Sequence, residues 1–137
     1  MAVNTRFSTG IHTLVLLAAN PDVQHTSEEI ARKLNTNPVV IRRVLSLLRQ
    51  AGLVHSQKGP SGGSKLAKPG KAIKLGDVYR ALEPVSIFNE SGVSSEGAAK
   101  LNGTLTKIFH EAQGALEAEL DTTSLNQLVK KSEKKKK

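Results

Sequence analysis

The amino-acid sequence predicts a mainly α protein with one small β-hairpin, followed by a long C-terminal helix. Three observations predict it. Thr26 to Gly52 spell two capped amphipathic helices joined by a short turn, and Leu53 to Leu66 hold two short apolar-containing runs around a Gly/Pro-rich tip. From about Ser95 to Leu120, apolar residues recur at alternating spacings of four and three. A hairpin directly after a helix-turn-helix makes a winged helix-turn-helix, and the long helix reads as a dimerisation element.

A first helix runs from about Phe7 to Ala19, where Phe7, Ile11, Leu14 and Ala18 line one face, and Asn20-Pro21 ends it. The second starts at Thr26, whose hydroxyl can accept from the Glu29 amide while the Glu29 carboxylate reaches back. This capping box precedes the stripe Ile30, Ala31 and Leu34. In the third, Asn37 is the N-cap, Pro38 sits where a missing N–H costs nothing, and Gly52 closes the C-terminus in a left-handed cap.

The third helix has two faces. Ile41, Val44, Leu45 and Leu48 form the core stripe, whereas Val39, Arg42, Arg43 and Ser46 point away from it. The second stripe suits a DNA major groove. A guanidinium fork can bond guanine O6 and N7 together, and an exposed valine can touch a thymine methyl. In the wing, glycines in the tip Lys58 to Ser64 let backbone approach a phosphate closely, with Lys58 and Lys65 bracketing the approach. The same stretch lacks the order of a phosphate-binding loop, because Ser64 rather than Gly precedes Lys65 and Lys68-Pro69 follows.

Beyond the wing, Leu75, Val78 and Leu82 mark a short helix ending at Glu83-Pro84, and a loop follows. The long helix would extend roughly 39 Å. Its seam is Leu101, Leu105, Ile108, Ala112, Ala115 and Glu119, supplemented by Phe109, Leu116 and Leu120. Few other residues remain to cover such a seam, which points to a second copy of the chain. Gly103 and Gly114 count against a straight rod. The expected organisation is a winged domain at 1–84, a linker at 85–94, the dimerisation helix with a short terminal helix at 95–129, and a disordered Lys-rich tail at 130–137.

Charge is distributed to match. Residues 1–75 carry eleven Lys/Arg against three Asp/Glu, residues 76–129 three against eight, and residues 130–137 six against one. A polyanion therefore meets the first part, with the tail adding sequence-independent phosphate attraction. The chain has no Cys, so disulfides and thiolate metal sites are excluded. Its longest apolar run, Leu14 to Ala19, is far below the ~20 residues of a membrane span, and no secretory pattern is seen, so a cytoplasmic protein without membrane contact is expected. The acidic residues lie along helices instead of converging as a catalytic pair, so no enzyme activity and no cofactor are expected.

Three stretches, Phe7 to Ala18, Val44 to Ser56, and Lys58 to Gly63 with Leu66-Ala67, together with Ile73 to Leu82, resemble the Rrf-two-type family of bacterial regulators, the IscR/NsrR family. The run Asn35 to Arg43 is most similar to its cysteine-independent YwnA-like branch. The resemblance implies recognition by Asn37, Val39, Arg42 and Arg43 and a wing contact through Lys58; Pro38 and the wing residues Gly59, Ser61, Gly62, Gly63 and Lys65 complete the expected DNA-binding set. It places Arg6 and Ser27 at phosphates and makes the long helix the dimer helix. Members with an iron-sulfur cluster hold it through three cysteines between the domain and the long helix; Phe88 to Leu101 has none. Ser64 stands where an aromatic commonly follows the wing glycines.

Together these readings describe a homodimeric, sequence-specific DNA-binding transcriptional regulator, a repressor on a pseudo-palindromic site, with double-stranded DNA as its partner. The alternative is a winged-helix protein-interaction or non-specific architectural module. A small-molecule effector would find its place around Val85, Ile87 and Phe88.

Overall fold

The structure, a computed structural model, describes residues 5–83 and 97–135. Helices α1 (Arg6–Ala19), α2 (Ser27–Leu34) and α3 (Pro38–Gln50) precede strands β1 (Val54–Gln57) and β2 (Gly63–Leu66). A 3-10 turn at Gly70–Ala72 leads to α4 (Leu75–Leu82), α5 (Ala98–Leu120) and α6 (Leu125–Lys135). The class is the expected one, mainly helical with one antiparallel hairpin. The linker expected at 85–94 lies outside the described residues.

Helix α1 buries Gly10, Thr13, Leu14 and Leu17, whereas Phe7, Ile11 and Ala18 are only partly buried. The buried face is rotated from the apolar spacing, with the small Gly10 and Thr13 lying in it beside Leu14 and Leu17. Gly10 faces the Leu82 side chain so closely that a Cβ there would overlap it. Thr13 can be buried because its hydroxyl donates to the Thr9 carbonyl at 2.8 Å.

Thr26 Oγ1 accepts from the Glu29 amide at 3.1 Å, so half of the capping box is present. The Glu29 carboxylate does not return to the Thr26 N–H; it lies 3.5 Å from Nδ1 of the buried His25. Asn35 ends α2 in the left-handed region at φ 55°. Asn37 Oδ1 then accepts from the Val39 amide at 2.7 Å, and Pro38 opens α3. At the other end Gly52 adopts φ 78°. The Leu53 amide bonds back to the Leu48 carbonyl at 3.0 Å, satisfying an orphan carbonyl and turning the chain into the wing. Between these ends Ile41, Val44, Leu45 and Leu48 are all buried, each contributing on the order of 2 kcal/mol.

The hairpin pairs Val54 with Leu66 and Gln57 with Gly63, leaving Lys58 to Gly62 as its tip. Ser64 is therefore not a tip residue, as the sequence suggested. It pairs with Ser56 inside the strands, is buried, and its Oγ lies 3.0 Å from Ser56 Oγ. It also forms a bridge with His25, with Ser64 N donating to His25 O at 2.8 Å and His25 N to Ser64 O at 3.0 Å. The wing is thus hydrogen-bonded to the segment entering α2.

After α5 the chain returns to the winged domain. Leu125 and Val129 of α6 are buried, and α6 packs on α1 and the 3-10 turn. The tail expected to be disordered from Lys130 instead continues α6 to Lys135. Anchoring by two buried side chains, followed by good helix formers, carries the helix past the charge run. Helix α5 runs through Gly103 and Gly114 without interruption, and none of its residues is fully buried.

Candidate nucleic-acid interface

The exposed side of α3 is set by the burial of the other. With Ile41, Val44, Leu45 and Leu48 inside, Val39 is 53% exposed and Val40 41% exposed, and Arg42 and Arg43 project into solvent. Large apolar side chains left in water at the start of a cationic helix form a surface of mixed chemistry, with methyl groups beside forked donors. Asn37 spends Oδ1 on the cap and keeps its amide N–H groups, while the half-buried Pro38 fixes the direction in which the helix begins.

The two arginines differ. Arg42 Nη1 lies 3.4 Å from Glu28 Oε2 on α2, an exposed pair that solvent screens strongly. Arg43 has no ion pair among the described residues. Val40 and Glu28 were not singled out from the sequence. Val40 could have been, since it lies one turn before Arg43 on the same side of the helix.

Ties from two directions hold the wing beside this face. Arg49 Nη1 donates to Ser56 Oγ at 3.4 Å, and Gln24 Nε2 to Gln57 Oε1 at 2.5 Å. Lys58, Gly59 and Ser61 are exposed at the tip; Gly62, Gly63 and Lys65 are half-buried. Gly63 is required by its own surroundings. It has φ 154°, and a Cβ there would lie 2.8 to 2.9 Å from the His25 backbone. Ser27, at the first position of α2, is half-buried beside the cap. Arg6 is drawn to α4, where its Nε and Nη2 reach the Glu83 carboxylate at 3.3 and 3.4 Å, so its charge is already offset. The effector site expected around Val85, Ile87 and Phe88 lies outside the described residues. No described helix is long and apolar enough to cross a membrane.

Residues 3–131 match a family described as Rrf2, iron-dependent transcriptional regulator. The chain belongs to the Rrf2 family. It is also 35% identical over 131 residues to YwnA of Bacillus subtilis, provisionally named an HTH-type transcriptional regulator, covering 93% of this chain and 96% of YwnA. A provisionally named transcriptional regulator from Lactobacillus plantarum is similar in structure, with TM-score 0.75 and 30% identity over 90% of this chain and 87% of that one. CymR, the global cysteine regulator of Bacillus subtilis, gives TM-score 0.71 and 27% identity over 95% of this chain and 97% of its own. This Rrf2 protein is accordingly a transcriptional regulator and not an enzyme.

The iron in the family description finds no fitting set of ligands among the described residues. The chain has no Cys, and no group of three or more His, Asp or Glu among the described residues could hold a metal ion. His25 and Glu29 bring together only two donors, one of them buried.

Proposed function

We propose that this Rrf2 regulator is a sequence-specific DNA-binding repressor that acts as a homodimer on a pseudo-palindromic operator and uses no iron-sulfur cluster. The observation that carries this is the outward face of α3, where Val39, Val40, Arg42 and Arg43 are exposed beside the wing while the opposite stripe is buried. In the proposed complex Arg42 and Arg43 read base edges, Val39 meets a thymine methyl, and the amide of Asn37 adds a contact at the helix start. Ser27, Lys58, Gly59, Ser61, Lys65 and, at the margin, Arg6 meet phosphate, which positions the domain without reading sequence. Gly62 and Gly63 shape the tip that approaches the backbone.

The dimer rests on α5. Leu101 is 59% exposed and Ile108 51% exposed, and with Leu105, Phe109, Ala112, Leu116 and Leu120 they form one arc of the helix. A two-fold dimer through that arc presents two α3 helices to half-sites about one DNA turn apart. Repression follows from occupancy of the promoter.

The test is selection from a random double-stranded DNA pool by the full-length protein at about 150 mM salt. Recovery of a two-fold-symmetric motif is expected. Recovery of unenriched DNA contradicts the reading and leaves an architectural binder; recovery of none leaves a protein-contact module.

A further inference from the structure

The last turn of α5 and its cap residue Asp121 are clamped to α4 by one guanidinium. Arg80 Nη2 donates to Asp121 Oδ1 at 2.8 Å and to Asp77 Oδ1 at 3.1 Å. Its Nη1 donates to Glu117 Oε1 at 3.1 Å and lies 3.5 Å from Asp121 Oδ2. Gln113 Nε2 donates to Tyr79 Oη at 3.2 Å and to Glu117 Oε2 at 3.1 Å. Gln113, Glu117 and Asp121 are spaced four apart, so they form one stripe of α5, turned to α4. Gly76 permits the close approach, since a Cβ there would overlap the Asp121 carboxylate. Just past α5 the backbone is joined as well. Leu75 N donates to Thr123 O at 2.9 Å, and Leu125 N to Ile73 O at 2.8 Å.

This arrangement has two parts with different jobs. The backbone bridge and buried Leu125 hold the end of α5 to the winged domain whether or not Arg80 is present. A point of attachment alone does not fix an angle. Arg80 does most to fix it, because a planar fork bonded to both oxygens of Asp121 and to Glu117 one turn earlier resists rotation of the helix about its attached end, with the neutral Gln113 to Tyr79 bond as the weaker tie. Helix α5 has 23 residues and extends about 35 Å, so a swing of about 10° at the clamp displaces its far end by about 6 Å. That is nearly two base-pair steps at ~3.4 Å each.

We infer that the Arg80 cluster with Asp77, Glu117 and Asp121 is a positioning device that sets the angle between the winged domain and α5, and thereby the half-site spacing the dimer accepts. The inference rests on the dimeric reading above. Arg80 touches no DNA; it acts through α5. The side chains of its ion pairs are 25 to 42% exposed, so solvent screens them and removing them changes geometry more than stability.

The experiment measures binding of the full-length protein to duplexes carrying the selected half-site as inverted pairs, with the separation varied one base pair at a time, and to a single half-site. Wild type is expected to prefer one separation by on the order of a hundred-fold, because a misplaced partner loses a half-site's base contacts. Arg80→Met is expected to flatten that profile to within about ten-fold while single-half-site affinity stays the same. Gly76→Ala displaces Asp121 with Arg80 intact and should flatten it likewise. Both variants retaining the wild-type profile would overturn the inference and leave the dimer standing. Wild type showing no preferred separation, or binding as a monomer, overturns the dimeric reading and the inference with it.

Discussion

Replacing Gly63 by Ala tests how the wing is tied to the helix-turn-helix. The new Cβ would stand 2.8 to 2.9 Å from three backbone atoms of His25, none of which can rotate away as a side chain could. The strand must therefore shift, and the two hydrogen bonds between His25 and Ser64, at 3.0 and 2.8 Å, are the first to go. Each contributes about 1 kcal/mol net, and an L side chain at Gly63's φ of 154° costs of order 1–3 kcal/mol. The loss should total about 3–5 kcal/mol, a large part of a typical domain's stability of about 5–15 kcal/mol. Gly103→Ala is the control. Its Cβ would meet nothing within 4 Å and it lies inside α5, so the same substitution should stabilise by about 0.5–1 kcal/mol. The assay is urea denaturation, scored by the midpoint at constant slope, with amide exchange at His25 and Ser64. Gly63→Ala unfolding at the wild-type midpoint, with both amides still protected, would refute the reasoning.

Three further outcomes are expected. Leu125→Ala should cost about 2–5 kcal/mol in thermal or urea unfolding, because the side chain is fully buried where α6 joins the core; a cost under 1 kcal/mol would show that α6 is not anchored there. The Glu117 carboxyl is held below its ordinary range, first by the Gln113 amide and then by Arg80. A lowered folded-state pKa means this stabilisation is complete above the unfolded value of ~4.3 and is lost as pH falls through the folded value. The melting-temperature difference between wild type and Arg80→Met should therefore be largest near neutrality and shrink on acidification below about pH 4, whereas a pH-independent difference would count against the clamp. Lys58→Ala should weaken binding to all DNA alike and lower the salt slope by about 1; a loss confined to the selected motif would make Lys58 a base reader.

The sequence made the helix-turn-helix legible because its determinants are local. Asn37 and Pro38 set the start of α3, Gly52 its end, and a period of 3.6 separates Ile41, Val44, Leu45 and Leu48 from Val39, Arg42 and Arg43. What remained hidden depends on approach between distant segments. Ser64 looked like a tip residue because glycines precede it, and its burial follows from the bridge to His25, thirty-nine positions earlier. Glu29 satisfied the capping-box pattern, yet its carboxylate lies by His25, a neighbour visible only once the loop is folded. Arg80 carried no signal at all. Its partners Glu117 and Asp121 are spaced like any exposed acidic pair, and only the contact of α4 with α5 gives them a role. The helical continuation past Lys130 was masked by charge; its cause lies upstream, in Leu125 and Val129.

The central claim, that α3 reads bases, is tested most directly by measuring Arg42→Ala and Arg43→Ala against both the selected motif and random duplex at one salt concentration. The account predicts that each substitution costs about 1–3 kcal/mol on the motif and little on random DNA, so that specificity falls with affinity. Equal losses on both would contradict it, placing the two arginines on phosphate and leaving the outward face of α3 without a part in sequence recognition.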